Sequence, residues 1–444
     1  MKSAVTYLFL IGLVLVACKK EPVELDLGTV DASRYVAIGT DATAGYSDDA
    51  LHYDGQISSY ANILATQLSA TDEVDFNQPL LSENSVGINL NNDAKLVLDH
   101  KTDCKDTVSL SPVRIASQGD IAAFSQNTYS SAPFDNLGVP GLSFLDVATV
   151  GYGNSSLGAG NYNPYFTRMT SSETNGSILG DALARNPTFF TVMLGDADIM
   201  DYATSGGTSG PIPPSSGADG VGFDGTLNAM LLALTGAGAK GAIATIPDVT
   251  DFPYFTTIPY NGLTLDADKA QTMNDVFNPI GLSFVEGDNP FTMECDCNQP
   301  YNVRKMVEGE LILLSIPLDS VKCNGMGSIV PIPDKYVLTL AEINELQTKI
   351  DEYNAVIVQL AQTYDLAVVE RAELISELKE GIIYNGVAMS TEFVSGGAFS
   401  LDGRNLNPKG QALLANKFIA AINAKFNAAI PYADVTKYDG ILFP

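Results

Sequence analysis

Short, wholly apolar runs that stop at a glycine or a proline are what most narrows the fold open to this chain. Tyr35 to Ile38 ends at Gly39, Thr188 to Leu194 ends at Gly195, and Gly241 to Ile246 ends at Pro247; Leu366 to Val369 is equally short. Runs of this length without polar alternation are strands buried on both faces, which is what a parallel sheet needs. Helical patterns lie between them. Ile57, Tyr60, Ile63, Leu64 and Leu68 recur at helical spacing, and Ser177 to Arg185 and Gly225 to Leu234 form further helices. Thr339-Leu340-Ala341-Glu342 is a capping box. It opens a helix whose Ile343, Leu346, Ile350, Tyr353, Ile357, Leu360 and Tyr364 share one stripe. Asn407 caps a last helix that starts at Pro408 and carries Ala412, Leu414, Phe418 and Ile422. With Phe134 to Gly141 as the remaining strand, five strands alternate with helices. The expectation is an α/β fold of three layers, α/β/α, with a mostly parallel, flavodoxin-like sheet. Side chains that do chemistry in such folds sit at the strands' carboxyl ends. That directs attention to the turn after the first strand, Gly39-Thr40-Asp41-Ala42-Thr43-Ala44-Gly45-Tyr46.

Two stretches interrupt the alternation. Residues 85–118 are polar, with β-prone patches at Lys95–Leu98 and Val113–Ala116, and read as a hairpin insertion holding Cys104. Residues 278–336, with Cys295, Cys297, Cys323 and the β run Leu311–Leu314, read as a second insertion, stapled to the first through Cys104. In an exported protein these four cysteines are disulfide candidates, with three pairings open. A zinc site is the weaker alternative, because only Asp296 separates Cys295 from Cys297. Thr204 to Gly222, with three prolines and many Gly and Ser, reads as a mobile loop that does not pack. It leaves from the sheet edge that should carry Asp41, as a lid, a partner-binding loop or an idle excursion.

The chain of 444 residues is 45% hydrophobic and 17% charged, which suits one large domain. Its 24 Lys+Arg against 52 Asp+Glu give a net charge of -28, a field that repels nucleic acid and anionic lipid surfaces. Residues 1–17 have the layout of an export signal, with an apolar stretch from Tyr7 to Val16 too short to span a bilayer. Leu15-Val16-Ala17-Cys18 resembles the bacterial lipobox, which implies cleavage before Cys18 and its acylation. Residues 18–32 would then be a lipidated tether, and Lys19, Lys20, Glu21 and Glu24 resemble the charged export tags of Bacteroidota surface lipoproteins. The expected address is the outer membrane, on either its periplasmic or its surface face.

The turn at Asp41 resembles the first block of the GDSL/SGNH hydrolases, in which a nucleophilic serine stands where this chain has Asp41. Asn136-Leu137-Gly138-Val139-Pro140-Gly141 resembles the second block, and Gly141 matches its oxyanion-binding glycine. Gly195-Asp196-Ala197-Asp198 resembles the third, with Ala197 in place of the oxyanion-binding asparagine. Leu401-Asp402-Gly403-Arg404-Asn405-Leu406-Asn407-Pro408-Lys409-Gly410 resembles the fifth: Asp402 matches the histidine-orienting acid and Asn405 replaces the histidine. Ala244–Val249 and Pro317–Cys323 resemble a lipoprotein branch of the family found in Bacteroidota. The resemblance spans nearly the whole mature chain and implies an SGNH-like domain over 33–430, with insertions at about 85–118 and 278–336 and a tail, 431–444, packed on it.

Ester hydrolysis on such a scaffold needs a hydroxyl nucleophile, a base and oxyanion donors. Nucleophile, base and one donor are replaced. Only His52 and His100 are available as substitute bases, neither in an Asp-x-x-His context, and His52 is expected to be surface-exposed. Asp41, Asp198 and Asp402 could instead converge as a cation site, with calcium as the candidate ion, or be held by Arg404. The function expected is therefore a non-catalytic lipoprotein that needs no cofactor and binds a ligand or an envelope protein. By analogy with the family's relatives, that partner could be an outer-membrane β-barrel. The competing expectation is an acyl-ester hydrolase with a rebuilt site.

Overall fold

A computed structural model describes residues 25–70, 74–125, 127–129, 133–297 and 300–444. The export signal, Cys18 and the first part of the tether lie outside the described residues. Five strands form one sheet: β1 (Tyr35–Gly39), β2 (Asn136–Gly138), β3 (Phe189–Met193), β4 (Lys240–Ala244) and β5 (Ala367–Val369). All neighbours are parallel, in the order β2-β1-β3-β4-β5. Every residue of β1 and β3 is buried, as their unbroken apolar character requires.

Seven longer helices belong to this sheet: α1 (Tyr60–Leu68), α2 (Ile178–Ala184), α3 (Asp196–Thr204), α4 (Phe223–Thr235), α5 (Leu340–Thr363), α6 (Arg371–Glu380) and α7 (Pro408–Phe426). From β1 the chain crosses one way to β2, and from β2 onward it crosses the other way. Right-handed crossovers therefore put α1 on one face and α2, α4 and α5 on the other. Aromatic pairs join the helices within each group. Tyr60 of α1 stacks on Phe418 of α7 at 4.4 Å, and Phe223 of α4 stacks on Tyr353 of α5 at 4.3 Å. Both reciprocal bonds of the Thr339–Glu342 capping box are present, and Asn407 caps α7 by accepting from Gly410 N–H.

Two sequence expectations need correction here. Ile57 is exposed and lies in a separate short helix, Tyr53–Ile57, because Ser59 caps α1 two residues later. The segment 204–222 does pack. Ile212 is buried, and the Tyr353 hydroxyl donates to the Pro213 carbonyl at 2.6 Å, which moors the loop to α5.

Outside the sheet, Leu96–Thr102 and Val108–Arg114 pair as an antiparallel hairpin. Residues from Leu263 to Leu338 build a satellite of three two-stranded ribbons and the helix Ala267–Phe277, with two small apolar cores of their own. Cys104 and Cys323 lie within disulfide distance, as do Cys295 and Cys297, so the first pair ties the hairpin to the satellite. In the tail, Ala433 and Val435 are buried, and Asn416 of α7 bonds both backbone groups of Ala433.

At the opposite end of the chain, Thr29 N–H donates to the Phe426 carbonyl, and Lys240 Nζ donates to the Thr29 carbonyl. Lys240 opens β4, so the amino-terminal segment joins the domain at the strands' amino ends. Asp41 is at the other pole.

Candidate functional site

Register brings the site together. Gly39 is level with Gly138 on one side and with Met193 on the other, so the turns leaving β1, β2 and β3 emerge side by side. The chain leaves β1 and β3 toward opposite edges of the sheet, which opens a crevice between those strands' carboxyl ends. The Asp41–Ala44 turn lies directly on the strand ends, and both glycines are needed for that approach. A Cβ on Gly39 would come 2.1 Å from Thr43 Oγ1, and one on Gly138 would come 2.2 Å from Ala44 N.

The crevice is a cavity of about 630 Å³, with Asp41, Gly141, Ala197, Asp198, Tyr165 and Arg404 among its walls. The 204–222 loop closes one side with Ile212 and Pro213. A recess of about 50 Å³ adjoins it and shares Asp41, Ala197 and Arg404, adding Asn405, Asp196 and Arg371. Four of the five positions singled out by sequence thus line two connected hollows. Asp402, the fifth, sits behind Asn405.

Asp41 accepts the Gly141 N–H at 3.3 Å through Oδ2. The backbone donor that the family resemblance assigns to an oxyanion therefore already holds a carboxylate of the chain itself. Burial pushes Asp41 up to about 6, with Asp196 adding to the shift and Arg404 opposing it. Asn405 Nδ2 donates to Asp402 Oδ2 at 3.0 Å. Asp402 also accepts from the backbone N–H groups of Asp49, Arg404 and Asn405, so both of its oxygens are satisfied.

These bonds overturn the cation cluster. Asp402 is consumed by four N–H donors, and Asp198 faces Ser143 Oγ at 2.5 Å and Phe144 N–H at 3.1 Å. Among the described residues no group of three His, Cys, Asp or Glu side chains is arranged to hold a metal. Burial raises Asp198 to about 7, partly offset by those two bonds.

His52 also needs correction, because it is 3% exposed rather than on the surface. Its Nδ1 accepts from Gly55 N–H as a helix cap, so its proton is on Nε2, which lies 3.0 Å from Ser47 Oγ. A ring that donates to the serine cannot take its proton, and burial lowers His52 to about 4. It is absent from the walls of both hollows. His100 stands exposed on the hairpin.

Sequence reasoning named Arg404 as a holder of the acids but missed Asp49, Arg114 and the Asp196–Arg371 pair around it. Asp49 bridges Arg404, at 2.8 Å, and Arg114 of the hairpin. Arg404 is held firmly charged: burial opposes this, but Asp402, Tyr46, Asp49 and Asp41 outweigh it. Beneath Asp41, the buried pair Asp196–Arg371 joins the ends of β3 and β5 at 2.7 Å, and Thr40 Oγ1 donates to the other Asp196 oxygen. Arg371 follows a strand end by two residues, which was the available signal. In comparisons with known proteins, no family profile, no curated protein and no solved structure matches this chain.

Proposed function

We propose that the chain is an SGNH-like lipoprotein that has lost hydrolase chemistry and keeps the crevice at its strand ends for binding. The observation that carries this is the Asp41–Gly141 bond: the nucleophile's place holds a carboxylate, and that carboxylate occupies the donor an acyl oxyanion would need. Asn405 on Asp402 supports the same reading, since an amide keeps the hydrogen bond of an Asp–His pair but cannot accept a proton at neutral pH. No histidine lines the crevice among the described residues.

Anchoring through Cys18 would attach the chain at the strands' amino ends and leave the crevice at the pole away from that attachment. It would meet soluble ligands, or an envelope protein such as a β-barrel's extramembrane part, before it met the anchoring leaflet.

A fluorophosphonate, which phosphonylates serines activated by a neighbouring base with loss of fluoride, tests the loss of chemistry. Intact mass after incubation is expected to be unchanged; a stoichiometric adduct on a crevice serine would reject the reading.

A further inference from the structure

The hairpin at 96–114 is tied at both of its ends. Its inner half packs: Leu98 is buried, and Pro112, Val113 and Arg114 are half-buried. Its outer half does not, since Asp99 to Thr102 on one strand and Val108 to Leu110 on the other are exposed. A two-stranded ribbon without a packed face is marginal in water. The tip supplies the missing support. There Cys104 lies within disulfide distance of Cys323, 219 positions away, and Asp103 pairs with Lys322 at 3.1 Å. A surface ion pair is weak beside a covalent tie. Both cysteines are exposed, and a disulfide that an incoming thiolate can reach is of the exchangeable kind.

At its inner end the same hairpin frames the crevice. Arg114 donates to the Ala94 carbonyl at 2.8 Å and pairs with Asp49, whose other carboxylate oxygen takes Arg404 at 2.8 Å. Asp49 is a non-glycine residue in the left-handed region, at φ 55°, a conformation that only its surroundings keep. Its N–H donates to Asp402, which also holds the N–H groups of Arg404 and Asn405. The satellite grips that turn from the other side: Tyr254 N–H donates to the Gly403 carbonyl, and Leu314 N–H donates to the Tyr254 carbonyl. Leu314 precedes the short helix Leu318–Cys323, so Cys323 is joined to the turn through a few residues. The 402–405 turn, the hairpin and the satellite thus form a ring that the disulfide closes covalently.

We propose that Cys104–Cys323 is a redox-modification site, opened by a dithiol reductant, whose cleavage frees the hairpin and loosens the Asp49–Arg404 side of the crevice. One thiolate of the reductant attacks one of the two sulfurs; the S–S bond breaks, a mixed disulfide forms and the other cysteine leaves as a thiolate. The reductant's second thiol then displaces the first cysteine and closes the reductant's own disulfide. Two electrons and two protons pass from the dithiol to the two cysteines. Cys295–Cys297 stands outside this device, because it spans only Asp296 and opening it releases no distant contact. The device acts on the crevice whether the crevice binds or catalyses.

Dithiothreitol, added without denaturant to the mature chain carrying Cys295→Ser and Cys297→Ser, tests the proposal. Iodoacetamide is expected to mark both Cys104 and Cys323 while far-UV circular dichroism stays that of the oxidised chain. Hydrogen exchange of the hairpin amides should quicken roughly 10-fold or more, and that of the Arg404 and Asn405 amides about 3-fold. Without iodoacetamide, removal of the dithiol and reoxidation should reverse both changes. Cys104→Ser with Cys323→Ser in the same background should show the faster exchange from the start and ignore the dithiol. Should that variant fail to fold, reduction of the chain that keeps the pair still decides. Resistance to alkylation short of unfolding, loss of the fold on reduction, or unaltered exchange at Arg404 and Asn405 in the reduced, folded chain would overturn it.

Discussion

Asn405 Nδ2 stands 3.0 Å from Asp402 Oδ2, so an amide and a carboxylate keep the contact that a catalytic Asp–His pair would make. Restoring the ring alone should therefore place an imidazole correctly and still do nothing. Asn405→His is expected to show no ester turnover, because no hydroxyl stands at position 41. Asp41→Ser with Ala197→Asn and Asn405→His supplies nucleophile, donor and base together and is expected to give slow turnover. Activity from Asn405→His alone, read with an aryl ester, would reveal a nucleophile elsewhere in the crevice.

The Asp196–Arg371 pair should be costly to break from one side. Arg371→Met strands a buried carboxylate and is expected to destabilise the fold by about 3–5 kcal/mol in urea denaturation. Asp196→Leu combined with Arg371→Met should recover most of that loss, since neither charge is left alone. A double variant no more stable than the single would contradict the account.

Stability should fall as pH rises from about 4 to about 7. Asp41, Asp48 and Asp198 have folded values near 6, 7 and 7 against 3.8 for the free carboxyl, in each case chiefly from burial. In that window the folded state binds more protons than the unfolded one, so raising pH favours unfolding. His52 works the other way: its folded value near 4 lies below 6.5, so it loses stability as pH falls through that range. Three acids outweigh one histidine. Asp198→Asn, which can still bond Ser143 and Phe144, should flatten the fall, as read by melting temperature against pH.

Anchoring is tested at Cys18. Cys18→Ser is expected to leave the protein without labelled palmitate and released from membranes. Incorporation of palmitate by this variant would reject the lipobox.

The sheet was legible because β1, β3 and β4 are buried on both faces and so carry no polar alternation. The capping box at Thr339 and Pro408 after Asn407 marked helix starts by purely local chemistry. What escaped were contacts between distant residues. Asp196 meets Arg371 across 175 positions, and Asp49 meets Arg404 across 355, with no local signature for either. His52 was misjudged because its bonds to Ser47 and Gly55 satisfy the ring nitrogens and let the side chain be buried. The 204–222 loop lacks periodicity, yet one buried isoleucine and one carbonyl bond moor it. At the site, the turn position of Asp41 followed from the strand before it, whereas the Asp196–Arg371 pair beneath it could be seen only in three dimensions.

Hydrolysis of short-chain aryl esters by the purified mature protein tests the central claim most directly. The account predicts a rate indistinguishable from a buffer blank, unchanged by Asp41→Ala. Turnover above the blank that disappears in Asp41→Ala would contradict it and make Asp41 a catalytic group.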